Sequence, residues 1–416
     1  MAQSVANLTS VLKDAWTSQR VQKQFYNENP ILEKIKTVQG TVMGLQAQVP
    51  IHKTRSGGYT STNAAGGTLN APGNQGTDQA LYTLIYHWFQ ISIETAALNQ
   101  SAGNAQAIIA AKDLEMQGAI DDTSKQCSRQ LVGDGTGFIA QCGTTTASAT
   151  IVLTPQASGG RGYDAIARGH LYVGLPVDIG TLADSDSVVT GSAITAVGES
   201  ATAPTITIST PVTTSSSNFV SIANPNSATA PNPELNGFRN IVGTGSLGGI
   251  NPATPGEEFW QAAKVDTTTT TFNLDLALDL QRAVFQKTGK YSGTVFTSAK
   301  QNAAFYSLLQ NQVRYTGEAG LGAGGVGGLT GLNWNGMGIN VVPDVNDSDW
   351  FYVTLDDLVK VTGSITEPTW TSDLEGAGGN VRWGQGTTAF TEGLVYPFQV
   401  GSQRRNSSAA ATGLTA

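Results

Sequence analysis

Three histidines, two cysteines and one aspartate-rich turn are the residues with the side chains for chemistry in this sequence. His52, His87 and His170 lie far apart, each in a strand-like run with no carboxylate at ligand or relay spacing, so each reads as a structural histidine. A hydrolase nucleophile would show as a serine with glycine two residues before and two after it, and no serine here has both. A phosphate loop needs a glycine five residues before Gly-Lys-Ser/Thr, whereas Gly289-Lys290 has Val284 at that place. Gly243/Gly245/Gly248 and Gly322/Gly324/Gly327 match the dinucleotide pattern, which has meaning only between a strand and a helix whose start holds the pyrophosphate. The first runs into Gly-Ile-Asn-Pro and the second into more glycine, so neither opens a helix. The run Asp344 to Asp349 has the spacing of a calcium loop, but Asp349 stands where a glycine is required and Leu355 where a glutamate is. It reads as a polar turn between strands. Cys127 falls in a long helical pattern as a small buried thiol, and with Cys142 it makes no disulfide framework. No enzyme activity, cofactor or metal is expected.

The elements that would have to position a site are more informative. Leu45, Ala47, Val49 and Ile51 alternate with Gln46, Gln48 and His52. A second run alternates Thr83, Ile85, Phe89, Ile91 and Ile93 with Tyr82, Leu84, Tyr86 and Trp88. Such alternation predicts a half-buried antiparallel pair. Ser56 to Thr77 between them has too little apolar bulk to form a core. A long two-stranded arm is marginal alone in water, so its missing core is expected to belong to neighbouring copies.

Bulk properties point the same way. The 416 residues suffice for two or three cores. Charged residues are 13% of the chain, against about 25% in ordinary soluble domains, and glycine is enriched at 49 residues. So few charges defend a surface poorly against association, although secreted β-rich proteins share this small-polar composition. Net charge is -8, so no global basic field draws nucleic acid. Residues 1–55 nevertheless hold seven basic side chains against three acidic ones, either an arm that meets a polyanion or acidic neighbour or a solvated helix face. No export signal opens the sequence and no run reaches the ~20 apolar residues of a membrane helix. Cytoplasmic synthesis is the expectation.

Along the chain, Leu8, Val11, Leu12, Ala15 and Trp16 predict an amphipathic helix stopped by Asn29-Pro30, followed by Ile31, Leu32 and Ile35. Gly103 to Val132 predicts one helix of roughly 45 Å, with Ile108, Ile109, Ala111, Leu114, Ala119 and Ile120 on its apolar side and Gly133-Asp134-Gly135 ending it. From Phe138 to Pro233 charges thin out and short strand patterns recur, at 151–153, 170–179, 193–197, 206–208 and 219–222. This suggests a small sandwich or barrel. Phe272 to Val284 predicts a helix ending near Gly289. Gly293 to Thr297 predicts a strand, and Ser298 caps a helix running to Val313. A glycine-rich loop (317–331), strands at 339–342 and 350–355, and strand-like segments at 359–362, 381–383 and 387–391 follow. The stretch after Gln403 reads as a mobile tail.

The order of these parts resembles the tailed-phage major capsid protein family, whose fold also occurs in encapsulin shells. Leu131-Val132-Gly133-Asp134-Gly135-Thr136-Gly137 is similar to the end of that family's spine helix. In many members it runs almost directly into a segment like Leu235-Asn236-Gly237-Phe238. Val295-Phe296-Thr297-Ser298 to Leu309, and Trp334 to Asp344, are similar to its axial domain. The resemblance implies an α+β phage coat fold divided as an N-terminal arm (1–40), an extended-loop hairpin (41–95), a spine helix of the peripheral domain (96–137), an inserted β domain (138–233), an axial domain (234–355), peripheral strands (356–403) and a mobile tail (404–416). It implies a virion subunit that self-assembles into pentamers and hexamers, an icosahedral shell around packaged double-stranded DNA held by non-specific contact. Partners would be the chain itself, a portal, a separate scaffolding protein, since no fused scaffolding segment is evident, and a decoration protein. Expected inter-subunit contacts are Trp16, Lys53, Arg55, Tyr82, Tyr86 and Trp88. An encapsulin-like compartment, or a β-rich glycan-binding adhesin or tail protein acting through 138–233, are the alternatives.

Overall fold

A computed structural model of the chain describes residues 31–39, 42–43, 46–61, 67–94, 105–154, 162–227, 229–263, 265–266, 270–291, 293–310, 333–335, 337–365, 367–370, 382–383 and 389–414. The expected first helix with Trp16, the glycine-rich loop and the second dinucleotide-like pattern lie outside these residues.

Short strands β1 (Thr37–Gln39) and β2 (Val42–Met43) lead into β3 (Gln46–Thr54). This pairs antiparallel with β4 (Gly76–Thr83) in the register Ala47↔Tyr82, Val49↔Ala80. The second alternating run does not continue the hairpin. It breaks at Leu84, and β5 (Ile85–Glu94) joins a different sheet. The break inverts the pattern: Tyr82 and Leu84 point into the protein, while Tyr86 and Trp88 point out. Helix α1 (Ala105–Val132) follows, roughly 42 Å long. Its buried stripe is Ala119, Thr123, Cys127 and Leu131, at intervals of four, and Ile120 faces solvent instead.

Strands β6 (Phe138–Gln141) and β7 (Thr145–Val152), helix α2 (Gly162–Ala167), and strands β8 (Pro176–Gly180), β9 (Val189–Gly198), β10 (Thr205–Thr214) and β11 (Phe219–Ile222) form one unit. Its sheet runs β6-β11-β8-β9-β10-β7. The two ends meet through a bridge between Cys142 and Leu153 and the bond from Gly143 N to Val152 O at 2.7 Å. The sheet therefore curls until its two end strands meet, as in a small barrel. Ile151, Val177, Ile179, Ile206 and Val220 fill its interior. Residues 170–175 form no strand. They make a turn whose Leu171 and Leu175 pack on that interior.

The chain leaves α1 through Gly133 and returns to the same place. Arg239 N bonds Gly133 O at 3.1 Å, and Leu235 N bonds the Gln130 side chain at 3.2 Å. A Cβ at Gly237 would stand 2.3 Å from the Gln130 and Gly133 carbonyl oxygens, so this approach requires glycine. Helix α3 (Phe238–Ile241) begins there.

The last third holds β12 (Val265–Asp266), α4 (Leu274–Thr288), β13 (Thr294–Thr297), α5 (Ala299–Gln310), β14 (Asn333–Trp334), β15 (Met337–Val341), β16 (Trp350–Val353), β17 (Leu358–Thr362), β18 (Thr369–Trp370), β19 (Arg382–Trp383), β20 (Ala389–Ser402) and β21 (Ala409–Ala411). The Asn273 side chain caps α4 by accepting from Leu276 N at 2.7 Å, and Gly289 closes it. One sheet runs β12-β21-β16-β13-β15-β14. Alternation divides its residues: Trp350, Tyr352, Ala409 and Ala411 pack with Leu276, Leu280 and Phe305 of α4 and α5. Phe351, Val353 and Ala410 pack with Phe238 on the other face.

The expected mobile tail is thus corrected. Residues 409–411 are an interior strand, small because a helix covers one face and α3 the other, and Arg405 is buried among backbone carbonyls. The last strand-like segment is also longer than the sequence suggests. β20 runs on through Gly393 and Pro397 to Ser402 and carries β17, β18 and β19 along one edge and β5 along the other.

Candidate functional site

The hairpin base rests on its own chain. Ala47, Val49, Ile51, Ala80 and Tyr82 share a core with Leu247, Ile250 and Trp260, and Leu81 N bonds Gly248 O at 2.9 Å. The expectation that these rows borrow a neighbour's surface is therefore wrong for 46–54 and 76–83: residues 247–260, which carry no strong pattern, supply the dry surface. Tyr82 is 1% exposed. Its hydroxyl donates to Ser402 O at 2.9 Å and accepts from Ser402 N at 3.0 Å. Burial pushes the phenol up to about 12. Lys53 lies between Glu257 at 3.1 Å and Asp78 at 3.2 Å, and these bonds hold its ammonium above the usual lysine range. Tyr82 is enclosed in this conformation, while Lys53 stays partly exposed between its two carboxylates.

Beyond Thr54 the loop stands clear. Arg55 is exposed, and Tyr59 and Leu69 are 83% and 69% exposed. Its two described limbs are tied to each other by bonds from Asn70 N to Thr60 Oγ1 and from Asn70 Nδ2 to Tyr59 O, both 2.8 Å. On β5, Tyr86 and Trp88 are 45% and 62% exposed on one face. The opposite face carries His87, set against Phe398. Burial pushes this imidazole down to about 4, with Arg129 adding to the effect. The structure thus brings Tyr86 and Trp88 together on one strand, with Arg55 on the separate loop. Trp16 lies outside the described residues.

Where the barrel meets the rest of the chain, the sequence reading missed a buried polar seam. His170 Nε2 lies 2.9 Å from Asp344 Oδ1, 174 residues away, too distant in sequence for local spacing to reveal. Burial lowers the His170 pKa below its usual value despite the carboxylate. Burial pushes the Asp344 carboxyl up, but the bond with His170 outweighs it and the group stays below the ordinary range. A nucleophilic relay would place the imidazole between carboxylate and hydroxyl. Here Asp344 holds His170 Nε2, and the other ring nitrogen, Nδ1, meets no hydroxyl among the described residues. Beside it, Arg129 pairs with Glu234, and Arg239 forks onto Asp349 at 2.8 and 2.9 Å. The aspartate-rich turn is therefore a buried structural network. Among the described residues no group of histidine, cysteine or carboxylate side chains could hold a metal ion, and no helix is long and apolar enough to cross a membrane. Cys127 and Cys142 are buried free thiols pushed up to about 12 by burial.

No protein-family model matches the chain, and no curated protein matches it in sequence. Solved structures do. The chain is similar to a subunit of the cyanophage A-1(L) capsid asymmetric unit at 12% identity, with 98% of each chain covered and a TM-score of 0.56. It is also similar to the capsid of a native GTA particle, at 12% identity over 100% of both chains with a TM-score of 0.47. A Gordonia phage Cozz structure matches at 10% identity over 100% of this chain and 96% of that one, with a TM-score of 0.47. The fold is the α+β fold of phage capsid subunits.

Proposed function

We propose that this chain is a major capsid protein, a coat subunit that assembles with copies of itself into pentamers and hexamers and closes an icosahedral shell around double-stranded DNA. The observation that carries this reading is the likeness to a cyanophage capsid subunit across 98% of both chains. On this reading α1 is the spine helix of a peripheral domain built on β5, β17 and β20. The sheet around β16 is the axial domain, and 138–233 is a barrel inserted between the end of the spine and Leu235. The hairpin is the extended loop. The part that reaches a neighbour is its exposed portion around Arg55 and Tyr59, since the base is already packed at home. Tyr86 and Trp88 form a second contact. Uncharged surfaces pack closely without mutual repulsion, and contacts of about 25 cal/mol per Å² repeated over many copies lock a closed shell. A portal, a scaffolding protein and a decoration protein are the further partners.

Negative-stain electron microscopy of the purified full chain is expected to show closed particles or ring-shaped capsomers of five and six. A species that stays monomeric at high concentration, with the 55–75 loop resistant to protease, would overturn the reading. Particles enclosing an enzyme in place of nucleic acid would favour the encapsulin alternative.

A further inference from the structure

Helix α4 ends in a surface that the fold does not need. Phe285 and Tyr291 stack with ring centroids 4.2 Å apart and an interplanar angle of 11°, yet they remain 38% and 57% exposed. Lys287 and Lys290 flank the pair in sequence, and Arg404 comes to the same helix end; all three are exposed. Arg404 reaches α4 through a bond from Nη2 to Lys287 O at 3.4 Å, and Lys287 Nζ donates to Ala262 O at 3.3 Å. Among the described residues none of the three cations pairs with a carboxylate. By contrast Arg282, one turn earlier, is held by Asp279 at 2.7 Å. Between Asp279 and Tyr291 the sequence has no acidic residue. Cations at a helix C-terminus answer its dipole, which accounts for Lys287 in the last turn. That effect fades beyond the last turn, so it does not account for Lys290 or Arg404, nor for an aromatic pair left to water.

We propose that this patch, Lys287, Lys290 and Arg404 around Phe285 and Tyr291, is where the chain holds the phosphate backbone of packaged double-helical DNA. The inference rests on the shell reading, which supplies the enclosed polyanion. The chain is acidic overall, net -8, so contact with DNA falls to local concentrations of positive charge, of which this patch is one beside the basic residues of 1–55. The three cations are the phosphate contacts. The stacked rings fix the turn that presents them, and the Tyr291 hydroxyl can donate to a phosphate oxygen.

The test uses the full-length chain and a fluorescent 30-base-pair duplex, with binding followed by anisotropy across a salt series. The double variant Lys290→Glu/Arg404→Glu is expected to bind at least tenfold more weakly. Its log affinity against log salt should flatten by about 0.9 per lost phosphate contact. Lys300→Glu, an exposed lysine on α5, should stay within twofold of the parent. Unchanged affinity in the double variant, an equal loss in Lys300→Glu, or polyglutamate competing as well as duplex at equal charge would each overturn the proposal. Microscopy of the same samples keeps the two readings apart. Normal particles with patch-independent DNA affinity would sink the patch alone. Patch-dependent affinity in a chain that never assembles would sink the shell alone. Thermal melting of the variants close to the parent's excludes misfolding as the cause of lost binding.

Discussion

Tyr82 closes on Ser402 with both backbone groups, donating to the carbonyl at 2.9 Å and accepting from the N–H at 3.0 Å, 320 residues apart in the chain. Its ring fills the space above Gly401, where a Cβ would stand 2.5 Å from Tyr82 Cε2. This contact ties the hairpin to the long strand β20, so the angle at which the loop leaves the body is set within one subunit.

Removing that hydroxyl therefore has a defined cost. Tyr82→Phe withdraws the partner of a buried N–H and a buried carbonyl and is expected to destabilise the subunit by about 1–3 kcal/mol. Gly401→Ala should be worse, because the Cβ meets the ring rather than a flexible side-chain end. Urea denaturation of unassembled protein, followed by tryptophan fluorescence, measures both. A midpoint for Tyr82→Phe equal to the parent's would show that the clamp holds nothing.

Arg405 makes the second prediction. Its guanidinium is buried and donates to the carbonyls of Gly245 at 2.6 Å, Asn240 and Ile241 at 2.8 Å and Trp260 at 3.2 Å. Burial brings even this group down to about 10. Arg405→Met keeps the stem but strands four acceptors, with an expected loss of about 3 kcal/mol or more. Arg405→Lys, with three donors, should recover part of it. Truncation after Gln403 removes the interior strand β21 and should abolish soluble expression, whereas loss of a free tail would leave yield unchanged.

Local order was legible in the sequence because its causes are local. Gly289 ends α4 where its apolar pattern stops, Ser298 precedes α5 and accepts from Gln301 N at 3.3 Å, and the alternation from Ala47 to His52 gives β3. What could not be read depends on distant partners. The stretch Ser407 to Ala411 has the composition of a tail, and only burial beside Trp350 and beneath α4 makes it a strand. The run from Tyr82 to Trp88 has one period but two environments, because the chain changes sheets at Leu84. A pattern of twos carries no mark of which sheet it joins. His170 and Asp344 meet only once the barrel has folded against the turn at 344–349.

Acid should loosen the folded chain through half-buried His87 and buried His170. In the folded protein His87 is depressed to about 4 from the usual 6.5 of an imidazole, and His170 is depressed too. The unfolded chain therefore takes up protons first as pH falls. The stability tied to neutral His87 is complete above pH 6.5 and is lost progressively toward pH 4. Between pH 7.5 and 5 this amounts to about 2 kcal/mol for His87. Denaturation midpoints at the two pH values measure it, and His87→Leu should flatten the difference. A parent whose stability does not change across this range would contradict the burial assigned to both rings.

Trp88 separates folding from association most cleanly. At 62% exposure on an outward face of β5 it contributes little to its own subunit, so Trp88→Ala should move the denaturation midpoint by less than about 0.5 kcal/mol. An aromatic side chain buried by a partner is worth far more, about 2 kcal/mol at a contact hot spot. On the shell reading the loss recurs at every copy of the interface. Particle yield by sedimentation should therefore collapse while the unassembled protein remains folded. Tyr86→Ala, on the same face but 45% exposed, should act in the same direction and less strongly. Full assembly in both variants would mean that this face meets solvent in the particle, leaving the exposed part of the loop around Arg55 and Tyr59 as the contact that joins one subunit to the next.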